Sequence, residues 1–137
     1  MITIKNEKEM KEYYVEKSNT YVFKDDVEFL FNVNMEANIW ALDIKAQNIN
    51  AWNIKAENVK AWNITVKTID AYNMKVSNIK AINVGAWNIE AINIYANIIV
   101  YYAVCFAYEN IECIAIYGKY PNAKHFVFNG ELIVKGE

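Results

Sequence analysis

The residues that could carry out chemistry are few and scattered along this chain of 137 residues. His125 is the only histidine, so neither a metal site made of several histidines nor a relay of histidines can form. Its neighbours Phe126 and Phe128 favour a structural position at the end of a strand. There are two cysteines. Cys105 lies in an apolar run, and Cys113 lies at a position of the repeat that alanine usually occupies. We expect both to be reduced residues of the core.

The other nucleophiles and carboxylates also lack a catalytic setting. Neither Ser18 nor Ser77 lies in a recognisable nucleophile motif, and the four glycines are too far apart to form a phosphate-binding loop. Asp25 and Asp26 are adjacent where a turn is expected, and aspartate is common in turns because its side chain bonds nearby backbone groups. We therefore predict a protein that is not an enzyme, that uses no cofactor and that binds no metal.

Composition limits the remaining classes. Hydrophobic residues make up 55% of the chain, which is enough for one domain with a substantial core. The formal net charge is only −2, and every basic residue is a lysine. Without arginine the chain has no planar guanidinium to pair with phosphate or guanine, so nucleic acid is only a weak candidate as a partner. No apolar run approaches the length of about 20 residues that a membrane-spanning helix needs, and no secretory signal is visible. We expect a cytoplasmic protein.

The dominant pattern has a period of five residues. An apolar residue, usually isoleucine, occupies every fifth position from Ile39 to Ile94; asparagine usually precedes it, and alanine or valine follows two places later. This period fits neither a helix nor a continuous strand, and it indicates short extended steps separated by corners. The isoleucine and the alanine of one step share a face that points inward. Asparagine suits a corner and can bond the asparagine of the next coil. The pattern predicts a β-solenoid.

A slower rhythm accompanies this period. Two places before the aliphatic residue, apolar and polar side chains alternate from Leu42 to Ile92, and the alternation fails only at Trp87. If four pentads form one coil with four sides, or walls, a period of ten residues makes opposite walls equivalent. We therefore expect repeating coils of about 20 residues. One wall would then carry Leu42, Trp62 and Ile82, and the opposite wall would carry Trp52, Tyr72 and Ile92.

The segment from about residue 37 to 96, with an irregular return at NIECIAIYG, resembles the pentapeptide-repeat proteins. The resemblance implies an all-β fold, a right-handed quadrilateral β-solenoid. The segments YYAVCFAYENIEC and NAKHF are also similar to parts of small uncharacterised proteins from low-GC bacteria and their phages.

We predict one folding unit with three parts. Residues 1–36 form an N-terminal cap of strand, short helix and strand, in which Asn6 and Glu9 are a capping box for a helix over about 7–17 and the alternation over 27–35 predicts a strand. The repeat solenoid covers 37–118. Residues 119–137 form a C-terminal β-hairpin around Asn129-Gly130, a signal for a type I′ turn, and serve as a cap or a dimer element.

Four lysines are candidates for an interaction surface. In a coil of four pentads, Lys60 and Lys80 lie on one wall, and Lys55 and Lys75 lie on the wall before it. The corner between these walls would be basic and could face nucleic acid or a charged groove of a protein. The alternative, which we favour, is that these lysines only keep the repeat soluble.

Four aromatic residues are the other candidates. Trp52, Trp62 and Tyr72 either point inward beside the aliphatic residues or lie outside at the corners, and we favour burial. If they are exposed, they form an aromatic strip of the kind that anchors interfaces. Trp87 is the fourth candidate for the interaction surface, because it interrupts the ten-residue alternation.

These features predict a rigid protein that binds another protein. Some pentapeptide-repeat proteins imitate duplex DNA, and the tail resembles phage proteins. Together these resemblances imply a phage-borne inhibitor of a host defence or DNA-processing enzyme, of the anti-CRISPR or gyrase-inhibitor type. If the chain is phage-encoded, it acts in the host cytoplasm. One alternative is a structural subunit that assembles with copies of itself, for example as a homodimer. A nucleic-acid binder with a ladder of lysines is the weaker alternative, because arginine is absent.

Overall fold

The computed structural model describes residues 1–136 as a β-solenoid of about 7 turns, with a mean spacing of about 17 residues per turn. The prediction of an all-β solenoid is confirmed. Two short 3-10 helices cover Glu7–Tyr13 and Glu16–Ser18. The strands are β1 (Ile2–Ile4), β2 (Tyr14–Val15), β3 (Thr20–Val22), β4 (Val27–Phe29), β5 (Val33–Asn34), β6 (Asn38–Trp40), β7 (Asp43–Lys45), β8 (Asn48–Asn50), β9 (Asn53–Lys55), β10 (Asn58–Cys113), β11 (Ala115–Gly118), β12 (Lys124–Val127) and β13 (Leu132–Val134).

Each coil of the regular repeat consists of three pentads. Ile54 lies opposite Ile39, and Ile69 lies opposite Ile54, and the asparagine bonds between these coils join positions 15 apart. Because every pentad supplies one short strand, the coil has three sides. The predicted coil of four pentads is therefore wrong for the repeat. An offset equal to four pentads occurs only in the last coil, where Lys124 lies opposite Val104.

The three sides of the solenoid are named walls A, B and C. Wall A begins with β3, β6 and β9, wall B with β1, β4 and β7, and wall C with β5 and β8. The long segment β10 winds through all three walls, and β11, β12 and β13 then complete walls A, B and C. These pairings are parallel, whereas β2 pairs with β3 in the antiparallel sense. The outward residues of each wall therefore form rows along the solenoid axis.

The core consists of the inward residues of the three walls. Both inward residues of most pentads are buried, as at Ile64 and Val66, while the residue between them, Thr65, is exposed. No polar or charged side chain is buried within residues 1–136. Each fully buried aliphatic side chain contributes roughly 1.5–3 kcal/mol. A single pentad cannot enclose a core, so this contribution depends on the stacking of neighbouring coils.

Ladders of asparagine side chains join the coils along the axis, as the sequence predicted. Each Nδ2 donates to the Oδ1 of the residue one coil earlier. On wall C these bonds are 2.7 to 3.1 Å long and connect Asn32, Asn48, Asn63, Asn78, Asn93 and Asn110. The ladder on wall B connects Asp43, Asn58, Asn73 and Asn88. This ladder starts at Asp43, whose carboxylate only has to accept the hydrogen bond from Asn58. On wall A only Asn53 donates to Asn38, because Thr68 occupies the next position.

The N-terminal segment both starts the solenoid and closes its end. The predicted helix start is confirmed, since the side chain of Asn6 accepts a hydrogen bond from the Glu9 amide at 3.1 Å. The helix is of the 3-10 type, however, and ends at Tyr13 instead of near residue 17. Its Met10 is fully buried and belongs to the core. This end of the core is therefore covered.

Residues 1–36 are more than a cap, because β1, β3, β4 and β5 pair in parallel with the repeat or with each other and form the first coils. The predicted strand over 27–35 is divided into β4 on wall B and β5 on wall C. Its alternation of apolar residues continues through the corner, where Phe31 is half-buried against the core.

The predicted C-terminal hairpin is wrong. β12 and β13 do not pair with each other, and both run parallel to β10 as parts of one more coil. Neither Asn129 nor Gly130 has the positive φ of a type I′ turn. Gly130 is required for a different reason, because a Cβ there would overlap the carbonyl oxygen of Glu109 in the coil below. Residue 137, the last of the predicted hairpin, lies outside the described residues.

We expect Asn63→Ala to lower the free energy of unfolding by about 1–2 kcal/mol, because it removes the bonds to Asn48 and Asn78. Asn83→Ala is the matched control: Asn83 occupies the same pentad position on wall A and has no side-chain hydrogen bond within the described chain. Urea unfolding measures both variants. Equal losses of stability would contradict a stabilising role for the ladder.

Candidate functional site

The four predicted lysines do not form a basic corner. Lys55 lies on wall A, opposite Trp40. Lys60 and Lys75 lie on wall B, whereas Lys80 lies on wall C, as the asparagine bonds of their pentads show. The prediction of a basic corner is wrong because it depended on a coil of four pentads.

A row of three lysines does exist on wall B. Lys45, Lys60 and Lys75 follow one another in consecutive coils, at the strand spacing of about 4.8 Å. Acidic residues end the row, since Lys45 Nζ lies 3.4 Å from Glu28 and Lys75 Nζ lies 3.7 Å from Glu90. Within residues 1–136, Lys60 forms no ion pair with a carboxylate. The row is thus short and largely neutralised.

The favoured burial of Trp52, Trp62 and Tyr72 is also wrong. Their side chains are 38%, 66% and 56% exposed, because the residue two places before the aliphatic one lies at the corner between two walls. The three residues occupy three different corners, so they do not form one strip. Trp52 contacts Lys67, whose Nζ lies 4.4 Å from the ring centre.

The corner between walls A and B carries a column of stacked rings. Tyr72, Trp87 and Tyr102 lie in consecutive coils. The Tyr72 and Trp87 rings are 5.7 Å apart and inclined by 7°, and the Trp87 and Tyr102 rings are 5.0 Å apart and inclined by 23°. Tyr120 packs against both Trp87 and Tyr102, at 5.4 and 5.6 Å. We call these four residues the aromatic column. Trp87 interrupts the ten-residue rhythm because it belongs to this stack, whose members follow one another at intervals of three pentads.

A groove of about 750 Å³ runs beside the aromatic column. Its floor consists of the small residues of successive coils, Ala41, Ala56, Ala71 and Ala86. Three members of the aromatic column line one side together with Leu42 and Glu57, and the outward residues of wall A form the other side; the three are Tyr72, Trp87 and Tyr102.

Gly85 opens a gap in that outward row, next to Trp87. A Cβ at Gly85 would meet only the Asp70 carboxylate at 3.7 Å and the Ile69 carbonyl oxygen at 4.0 Å, and the glycine has no positive φ. The fold therefore does not require glycine at this position, and its effect is to deepen the groove.

The residues that could do chemistry lie away from this groove. Cys105 is fully buried, and burial, with a smaller contribution from Cys113, raises the pKa of its thiol to about 12. Burial also raises the pKa of Cys113. His125 Nδ1 lies 2.6 Å from the buried Tyr101 hydroxyl. Within residues 1–136 no three His, Cys, Asp or Glu side chains are placed to hold a metal ion. No helix in the same range is long and apolar enough to cross a membrane.

Comparisons of the chain with models of protein families, with curated proteins and with solved structures find no significant match.

Three residues of these surfaces were missed in the sequence: Lys45, Tyr102 and Tyr120. A search at intervals of three pentads could have identified two of them, because Lys45 precedes Lys60 and Tyr102 follows Trp87 by that distance. Tyr120 lies in the irregular connection after β11, where the period gives no signal.

We expect Cys105 to resist a thiol reagent such as dithionitrobenzoate at pH 8, because almost none of a thiol with a raised pKa is thiolate at that pH. In the native protein the reaction should be at least about a hundred times slower than in urea-unfolded chain. A Cys113→Ala variant isolates the signal of Cys105. Rapid native labelling of that variant would contradict the buried position.

Proposed function

We propose that the chain is a non-enzymatic interaction protein that binds another protein in the groove beside the aromatic column. The observation that supports this most strongly is the continuous column itself, in which Tyr72 and Tyr120 are both at least half exposed. Tyrosine and tryptophan are enriched at the centres of interfaces, where a few large side chains provide most of the binding energy.

The rings are held in place before a partner arrives. Tyr72, Trp87 and Tyr102 stack on one another, and Tyr120 packs on the last two. Side chains that are already ordered lose little conformational entropy on binding, and this favours affinity. The rigid solenoid wall also fixes the spacing of the rings, so their backbone does not have to become ordered on binding.

The groove also offers charges of both signs. Lys55 and Asp70 are neighbours on wall A, and Glu57 lies across the groove from them. Five successive coils line the groove on wall A, from Trp40 to Val100. At the usual strand spacing this gives a length of about 19 Å. We infer that the partner presents an apolar ridge flanked by polar groups of both signs.

The narrower role remains a proposal that rests on two resemblances, that of the repeat to pentapeptide-repeat proteins and that of the tail to phage proteins. It is that of a phage-borne inhibitor of a host defence or DNA-processing enzyme, of the anti-CRISPR or gyrase-inhibitor type, in the host cytoplasm. The apolar character of the groove favours contact with a protein surface over imitation of duplex DNA.

A pull-down from the lysate of a low-GC bacterium tests the proposed groove. Tyr72→Ala removes one ring, and Gly85→Leu places a side chain in the gap, where the added Cβ meets no atom closer than the Asp70 carboxylate at 3.7 Å. We expect both variants to lose a protein that the unchanged chain retains, with an affinity at least about fivefold lower once that protein is purified. Trp62→Ala, an exposed tryptophan on another corner, is the control and should bind normally. Equal losses in all three variants, or no retained protein, would contradict the proposal.

We expect no salt-dependent complex with duplex DNA, because the lysine row of wall B is short and ends in ion pairs. Fluorescence anisotropy with labelled duplex at several salt concentrations measures this. Binding that weakens with salt and is lost in Lys60→Ala would support the lysine-ladder alternative instead.

A further inference from the structure

The groove beside the aromatic column is narrow. Its volume of about 750 Å³ over a length of about 19 Å gives a mean cross-section of about 40 Å². An α-helix with its side chains is about 10–12 Å wide, which is a cross-section of about 80 Å² or more. A single extended chain needs about 50 Å², because strands lie about 4.8 Å apart in sheets that stack about 10 Å apart. The width of the groove therefore suits an extended chain and excludes a whole helix.

The main chain that borders the groove is already paired. The strand β6 of wall A pairs with both β3 and β9, and β9 pairs in turn with β10, so these strands have no free edge. On the floor, the amide of Ala41 donates to the carbonyl of Lys55, and the amide of Ala56 donates to that of Asp70. A peptide cannot join this wall as an added strand, because that mode needs free main-chain groups at a sheet edge. The remaining regular extended conformation is polyproline II, whose backbone stays bonded to water.

The repeat of polyproline II also fits the spacing of the coils. This conformation has three residues per turn and rises about 3.1 Å per residue, so residues three apart lie on one face at about 9.3 Å. Two coil spacings amount to about 9.6 Å. The residues on one face of a β-strand lie about 6.6 Å apart and match neither one coil nor two. A polyproline II chain along the groove therefore presents every third residue to equivalent points two coils apart.

Two such points differ in chemistry. The first is the gap that Gly85 leaves beside the Trp87 ring, and the second lies two coils earlier, between Lys55 and Glu57. The charged residues that line the groove are Lys55, Glu57 and Asp70, one positive and two negative. Within residues 1–136, neither Glu57 nor Asp70 forms an ion pair. A basic side chain of a partner can therefore pair with the two carboxylates.

We propose that the groove binds a proline-rich segment of another protein in the polyproline II conformation. A proline occupies the Gly85 gap against Trp87, and a basic residue three positions away pairs with Glu57. About six residues span the groove at about 3.1 Å per residue. Prolines dock well in aromatic-lined grooves, and a segment that already has this conformation loses little entropy on binding. This inference rests on the proposed function, because it specifies the partner of the same groove.

Selection of peptides on the immobilised full chain tests the nature of the segment. The probe is a display library of random peptides about twelve residues long, twice the span of the groove. We expect the selected peptides to be rich in proline and to carry lysine or arginine three positions from a proline. Fluorescence polarisation with a labelled selected peptide then measures the affinity.

Variants place that peptide in the groove. Gly85→Leu should lower the affinity at least about fivefold, and Gly85→Val, a smaller filling of the same gap, should lower it too. Trp62→Ala, at another corner, should bind like the unchanged chain. Circular dichroism verifies the fold of each variant.

The basic residue of the peptide has a separate test. Glu57→Gln should lower the affinity about threefold, the size expected for an exposed charge pair, and should not affect a peptide whose basic residue is replaced by glutamine. Glu109→Gln removes an exposed carboxylate outside the groove and is the matched control.

Selection of no peptide, selected peptides without proline, or equal binding by Gly85→Leu and the unchanged chain would overturn the inference. Equal binding of the basic peptide by Glu57→Gln would overturn the position of its basic residue. The failure of this inference differs from that of the proposed function. A lysate protein whose retention depends on Tyr72 and Gly85, together with a library that yields no proline-rich peptide, would refute the segment and leave the proposed function standing.

Discussion

The structure depends on the register between coils, in which each inward residue of the repeat rests on the residue three pentads earlier. This offset places isoleucine on isoleucine in the core and asparagine on asparagine at the edge of each wall. A slip by one residue would turn the apolar side chains outward. The apolar contacts supply the free energy of burial, and the directional amide bonds fix the register.

The same register determines which outward residues meet. It places Lys45, Lys60 and Lys75 in one row, and Tyr72, Trp87 and Tyr102 in one stack. Neither set is contiguous in the chain, and each becomes a surface only when three pentads close a coil. The groove exists for the same reason, since the alanines of successive coils form its floor.

The solenoid could be predicted because the period of five is carried by many residues that all favour the same conformation. The number of sides could not, because every pentad offers the same isoleucine and alanine and fits a coil of three or four pentads equally well. Only departures from the consensus indicate how many pentads form a coil. The chance alternation of Trp52, Glu57 and Trp62 suggested the wrong number. At Asn129-Gly130 a local turn signal was overridden, since the apolar strands beside it cover the core of the preceding coil.

The register is therefore the claim on which both the aromatic column and the lysine row rest. Cross-strand nuclear Overhauser effects between backbone protons of isotope-labelled protein measure it directly. The structure predicts contacts between Ile64 and Ile49, and between Ile69 and Ile54, each pair being three pentads apart. Contacts between Ile64 and Ile44 instead, at the spacing of a four-sided coil, would contradict it.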